Sequence, residues 1–90
     1  MQLSVIILNY NVRHFLEQCV LSVQKATQNF NAEIIVVDNN SRDDSCQMMK
    51  ERFPDVILIE NKENSGVPKG NNSGVKIARG EYICILNPDT

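Results

Sequence analysis

Residues 81–90 read Glu-Tyr-Ile-Cys-Ile-Leu-Asn-Pro-Asp-Thr, and this stretch decides how the rest of the chain is read. Tyr82–Leu86 is an apolar, β-favouring run of the length of one buried strand. Asn87, Pro88 and Asp89 follow at once. Pro88 has no N–H to give to a sheet ladder, so pairing is expected to stop near it. A carboxylate, Asp89, then stands at the carboxyl end of a buried strand. In open α/β sheets that edge is where ligands bind.

Working back, the same grammar recurs. Residues 3–8 form a β-branched apolar run, expected to be a strand buried on both faces. Asn9-Tyr10-Asn11 breaks it, and Asn11 is a suitable N-cap. Phe15, Leu16, Cys19, Val20, Val23 and Ala26 recur at helical spacing, which predicts a helix over 12–27. Residues 33–37 form a second strand, closed by Asp38-Asn39-Asn40-Ser41. Ser41 and Asp44 read as a variant capping box. Cys46, Met49 and Phe53 mark one face of a helix over 43–52, which Pro54 closes. A third strand is expected over 56–60 and a polar loop over 61–66. A helix is expected over 67–79, with Pro68 in its first turn and Gly80 as its stop.

The order is therefore βαβαβαβ: an α/β fold with a mostly parallel sheet between layers of helices, a Rossmann-like half. The chain shows no internal repeat, linker or domain boundary.

Ninety residues allow one small domain, and a 42% apolar share is that of a globular protein rather than a disordered one. A net charge of -2 offers no basic surface for nucleic acid. No apolar run approaches membrane-spanning length, and no leader pattern opens the chain, so a soluble, unexported chain is expected. Cys19, Cys46 and Cys84 have no metal-ligand spacing and read as small buried hydrophobes. His14, near a helix start, reads as a surface residue.

The polar clusters after strands one, two and four all fall on one edge of a parallel sheet. Each alone suits a turn; together they suit a ligand. Asp38 can accept hydrogen bonds from ribose hydroxyls, from the N–H of a uracil-type ring, or from amides of its own turn. Gly70 and Gly74 lie one helical turn apart with Asn71 and Asn72 between them, allowing close backbone approach at a cost in helix propensity. Lys69 can reach a phosphate or stay solvated. Neither the Walker nor the dinucleotide glycine pattern is present. Asn39-Asn40-Ser41 and Asn71-Asn72-Ser73 match the glycosylation pattern by chance. Asp89 is the candidate ligand for a hard divalent cation beside a nucleotide diphosphate. Asn87 either bonds a sugar or ends the strand.

These stretches resemble the family 2 glycosyltransferases of the glycosyltransferase A fold. Residues 5–11 resemble the family's opening strand and Tyr-Asn turn. Val36-Val37-Asp38-Asn39-Asn40-Ser41, with Asp43 and Ser45, resembles its Val-Asp-Asn-x-Ser-x-Asp signature. Asn64, Gly66, Gly70-Asn71-Asn72, Gly74, Ala78 and Gly80 resemble its third helix. Leu86-Asn87-Pro88-Asp89 resembles its Asp-x-Asp metal motif, with Asn87 in place of the first Asp. Asp44 stands where the family often has Gly.

The resemblance implies that residues 1–90 are the nucleotide-sugar-binding N-terminal part of a longer enzyme, truncated after the metal motif. Tyr10 and Asp38 would contact base and ribose, Asn39 would assist, Asn11 would hold the first turn, and Asp89 would hold Mg²⁺ or Mn²⁺. Asn9, Lys69 and Asn87 complete the expected nucleotide-sugar site. The reaction implied is metal-dependent, inverting transfer of a sugar from a dTDP- or UDP-sugar to a glycan or lipid-linked acceptor in cell-surface polysaccharide synthesis. The Asn-Pro-Asp form resembles rhamnosyltransferases, which points to dTDP-rhamnose. The implied location is cytoplasmic, at the inner face of the membrane.

No residue is assigned as the general base that must take the acceptor's proton, so these residues alone are expected to be inactive. The opposing readings are a sugar-phosphate nucleotidyltransferase, which would want a basic glycine-rich loop after strand one, and a non-catalytic nucleotide-sugar-binding or protein-interaction module. A receiver-like signalling domain would want an acidic pair after strand one, which is absent. An unpaired strand at the sheet's rim would also invite a homodimer. If the strand order is the family's, the fourth strand lies beside the first, at the switch point of the sheet.

Overall fold

The computed structural model describes residues 2–11, 13–61 and 77–87. The elements are β1 (Leu3–Asn9), α1 (Arg13–Thr27), β2 (Ala32–Asn39), α2 (Ser45–Arg52), β3 (Ile57–Asn61) and β4 (Tyr82–Leu86). The strands form one sheet in the order β3-β2-β1-β4, and every pairing is parallel. The expected helix over 67–79 lies almost wholly outside the described residues, with Ile77 at its helical end.

The strand order follows from the crossovers. From β1 through α1 to β2, and through α2 to β3, the chain steps outward in one direction. Right-handed crossovers then put both helices on one face. From β3 it returns past β1 to lay β4 on the far side. That reversal makes the gap between β1 and β4 the topological switch point.

The pleat divides the core accordingly. Val5, Ile7 and Val36 pack with Leu16, Val20 and Val23 of α1 and Met48, Met49 and Phe53 at α2. The alternate residues Ile6, Leu8, Ile35 and Val37 form a second cluster with Ile57, Ile59 and Ala78 on the opposite face. β1 is thus buried on both sides, as its β-branched run predicts.

The strand that suggested the fold is itself not buried. Tyr82 is 69% exposed, and Ile83 and Ile85 are each 45% exposed. Among the described residues β4 pairs only with β1, so it lacks the flanking strand that shields β1 and β2. The cysteines also depart from expectation. Cys19 and Cys46 are half-buried and Cys84 is exposed. On α1, Phe15 and Ala26 point to solvent, leaving Leu16, Val20 and Val23 as the buried stripe. Glu17 is buried too, and its carboxylate pairs with the Arg52 guanidinium, tying α1 to α2. His14 is exposed, as expected.

Residues 78–80 are not helical, and Gly80 instead lies against β1. A Cβ there would meet Ser4 N at 2.5 Å and Leu3 C at 2.6 Å, so only glycine lets this turn lie on the β1 backbone. Its N–H donates to Ser4 Oγ at 2.8 Å. Ser4 Oγ in turn donates to Glu33 Oε2 at 2.6 Å, which also accepts the Arg79 N–H at 2.6 Å. These bonds dock the entry of β4 onto β1 and β2 and set the register in which Leu3 faces Tyr82.

Candidate functional site

The carboxyl ends of β1, β2 and β3 are closed by amides and one acid. Asn9 faces Asp38 in the β1–β2 register, and Asn39 faces Asn61 in the β2–β3 register. Asn9, Asp38 and Asn39 are all buried, at 1%, 2% and 5% exposure. Buried polar groups at a strand end need partners, and here they find each other. Asn9 Nδ2 donates to Asp38 Oδ1 at 2.8 Å. Asn61 Nδ2 donates to Asn39 Oδ1 at 2.9 Å. Asn9 Oδ1 is buried and has no hydrogen-bond partner among the described residues.

Ser41 joins these groups. Its hydroxyl donates to Asp38 Oδ1 at 2.6 Å, and its N–H donates to Asp38 Oδ2 at 2.8 Å. Ser41 Oγ also accepts from Asn9 Nδ2 at 3.1 Å and from the Asn11 N–H at 2.8 Å. The turn amides therefore do claim Asp38, one of the roles its position allowed. The charge of this carboxylate also bears on the Cys46 thiol. Burial first, then the hydrogen bonds and negative charges of Asp38 and Glu60, push it up to about 12.

Two capping expectations are corrected. Asn11 takes a left-handed φ of 53° and does not cap α1. Its Oδ1 instead accepts the N–H groups of Arg42 at 2.6 Å and Asp43 at 3.3 Å, across the gap in the β2–α2 loop. Nor do Ser41 and Asp44 form a capping box: Asp44 at the N-cap of α2 makes no side-chain cap bond. Asp43 serves both helices. Its Oδ2 accepts the Arg13 N–H at 3.2 Å at the start of α1, and its Oδ1 accepts the Ser45 N–H at 3.1 Å at the start of α2. Burial alone would raise the Asp43 pKa, but the bonds from Ser45 and Arg13 outweigh it and hold it below the usual carboxylate value. Helix N-termini favour a carboxylate for the same reason.

Of the residues singled out in the sequence, Asn9, Asn11 and Asp38 are thus brought into one network. Asn39 stands beside it but pairs with Asn61. Tyr10, in the turn between Asn9 and Asn11, is 44% exposed and available to a ligand. Asn87 follows β4 directly, one residue past the Leu86–Ile7 pair at the switch point. Lys69 and Asp89 lie outside the described residues, as do Gly70, Asn71, Asn72 and Gly74. Burial of Asn39 agrees with reading its glycosylation pattern as chance. Among the described residues no group of acids, histidines and cysteines has metal-binding geometry. No described helix is long and apolar enough to cross a membrane.

Three participants were not singled out as site residues: Ser41, Asp43 and Asn61. Asn61 carried a readable signal, since it closes its strand as Asn9 and Asn39 close theirs. Ser41 and Asp43 were visible as cap and signature residues, but their bonds to the Asn11 and Arg13 amides were not, because those partners lie about 30 residues away in sequence.

Comparison with known proteins places the chain in a family. The model for "Glycosyl transferase family 2" matches residues 4–90. The minor teichoic acid biosynthesis protein GgaB of Bacillus subtilis is 37% identical over 90 residues, covering 96% of this chain and 10% of that protein. Glycosyltransferase GlyG of Streptococcus pneumoniae is 37% identical over 92 residues, covering 97% of this chain and 30% of that protein. Among solved structures, S. aureus TarS 1–349 in complex with UDP superposes with a TM-score of 0.85 at 29% identity, covering 99% of this chain and 28% of that one. Mannosyltransferase PcManGT from Pyrobaculum calidifontis, in complex with GDP-Man and Mn²⁺, gives 0.84 at 26% identity, covering 98% and 27%. The chain thus spans well under half the length of these relatives. With the signature residues gathered at the carboxyl edge and the family model matching nearly end to end, the chain belongs to glycosyltransferase family 2.

Proposed function

We propose that this chain is the donor-binding part of an inverting glycosyltransferase that moves a sugar from a UDP- or dTDP-sugar to an acceptor in cell-surface polysaccharide synthesis. The observation that carries the reading is Asp38. It is a buried carboxylate held by Asn9 and Ser41 at the carboxyl edge of the sheet, two strands from Asn87. In this reading Asp38 accepts the imide N–H of the base, Tyr10 lies against base and ribose, and Asn9, Asn11 and Asn39 hold the turn that carries them. Asn87 and Lys69 serve the sugar and diphosphate. The UDP and UDP-GlcNAc complexes of TarS support a pyrimidine nucleotide.

Asp89 is proposed to hold Mg²⁺ or Mn²⁺. Asn87 and Asp89 offer only oxygen donors of the kind a hard cation takes, and the ion, when bound, would neutralise the leaving diphosphate. None of these residues is assigned as the base for the acceptor hydroxyl, so the 90 residues alone are proposed to bind donor without turning it over. The location proposed is the cytoplasmic face of the membrane.

A second reading, an interaction surface, is favoured by one observation. The β4 edge exposes Tyr82, Ile83 and Ile85, and a sheet edge of this kind invites pairing with a second copy.

Calorimetry with UDP, dTDP and GDP, with and without Mn²⁺, tests the main proposal. Diphosphate binding that needs the metal and is lost in Asp89→Ala is the expected result. Binding that is absent, or indifferent to base and metal, overturns it in favour of an interaction module.

A further inference from the structure

Ser41 lies outside the set of residues proposed to touch the nucleotide, yet its hydroxyl takes part in three hydrogen bonds at the edge. A serine hydroxyl has one proton to give and two lone pairs to receive with. All are used here, by Asp38 Oδ1 as acceptor and by Asn9 Nδ2 and the Asn11 N–H as donors. The direction of each bond is forced. The two amide nitrogens can only donate to the hydroxyl oxygen, so the hydroxyl proton is the one directed at Asp38 Oδ1. The Ser41 N–H then holds the other oxygen, Oδ2.

One residue therefore grips both oxygens of Asp38 and fixes the plane of its carboxylate. A carboxylate has about four acceptor sites. Asn9 and Ser41 occupy two on Oδ1, and the Ser41 N–H occupies one on Oδ2. Among the described residues the remaining capacity is on Oδ2.

We propose that Ser41 is a positioning residue for base selection: by locking both oxygens of Asp38 it presents the spare acceptor site of Oδ2 to the imide N–H of a uracil- or thymine-type ring. This rests on the donor-binding role proposed for Asp38. A ring with an N–H at that position is accepted. Cytosine, which has a lone pair there, faces the carboxylate with two acceptors opposed. Without the Ser41 hydroxyl, Oδ1 keeps only the Asn9 bond, the carboxylate is held less firmly and selectivity falls, whereas a residue that only stiffened the loop would lower affinity for both bases alike.

The test is the ratio of UDP to CDP affinity, measured by calorimetry in the full chain. Loss of a charge-assisted hydrogen bond is expected to lower the ratio about tenfold in Ser41→Ala. Ser41→Thr keeps the hydroxyl and is expected to keep the ratio. Ser41→Cys, with a weak thiol donor, is expected to give a value between them, and replaces the alanine variant if that one does not fold. An unchanged ratio in Ser41→Ala or Ser41→Cys, with both affinities lowered equally, overturns the proposal. Asp38→Asn separates the two levels. If it keeps the wild-type ratio, the base contact of Asp38 is itself wrong. If it loses the ratio while the Ser41 variants keep it, only the positioning role is wrong.

Discussion

Asn9 and Asp38 stand directly opposite each other at the last rung of the β1–β2 ladder, and Asn9 Nδ2 donates to Asp38 Oδ1 at 2.8 Å. Both are almost wholly buried. A buried carboxylate is tolerated at modest cost only if hydrogen-bond donors surround it. Asn9→Ala removes one of those donors, and a hydrogen bond to a charged group contributes about 1.5–3 kcal/mol. Urea unfolding is expected to show a loss in that range. Asn9→Asp sets two carboxylates against each other and is expected to be worse.

The docking of β4 rests on Gly80. A Cβ at that position would lie 2.5 Å from Ser4 N, a backbone atom that cannot swing aside. Gly80→Ala is expected to lower stability by about 1–3 kcal/mol, the range for forced overpacking. Hydrogen exchange should speed up selectively in the β1–β4 ladder, starting from the bond between the Tyr82 N–H and the Gln2 carbonyl. Equal exchange in β2–β3 and β1–β4 would count against this view of the turn.

Glu33 predicts an acid limit. Burial alone would raise its pKa, but the hydrogen bonds from Ser4 and the Arg79 backbone, with the Arg79 charge, outweigh it and lower it. A carboxylate with a depressed folded-state pKa adds stability above its unfolded value, about 4.3 for Glu. That stability is lost as pH falls through the lower folded value. The thermal midpoint is expected to fall through this window, and Glu33→Gln should flatten the part of the slope that Glu33 contributes.

The three thiols are expected to differ in reactivity. Cys46, held up to about 12 by burial and the acids Asp38 and Glu60, carries almost no thiolate at neutral pH. Cys19 is raised by burial. Cys84 is exposed on β4. Mass spectrometry of briefly alkylated native protein should find Cys84 modified first and Cys46 last. Early labelling of Cys46 would mean that burial and the nearby acids do not hold its thiol protonated in solution.

The exposed rim strand predicts association. Ile83 and Ile85 lie on the same face of β4 and are each 45% exposed. Sedimentation of the 90-residue chain is expected to show a concentration-dependent dimer that Ile83→Lys weakens, since charge on an edge strand opposes pairing. A monomer at every concentration would remove the idea.

What the sequence by itself determined is local. The apolar runs separated by helical periodicities dictated alternating strands and helices, and β-branched residues at every position of residues 5–7 dictated a strand covered on both faces. Polar residues closing those runs placed Asn9, Asp38 and Asn39 on one edge, because parallel strands all end on the same side. Which of these polar residues touch was not legible. Asn11 looked like the cap of its own helix and instead bonds the loop after β2, while Asp43 reaches back to cap α1. Ser41 looked like a cap and became the grip on Asp38. A hydrogen-bonding side chain near a turn has local and distant partners of similar strength, and only the approach of β1 to β2 decides between them. Burial of β4 was likewise a tertiary matter. Its apolar run is compatible with a covered strand, but coverage belongs to neighbours, and the described sheet leaves β4 at the rim with Tyr82 in solvent.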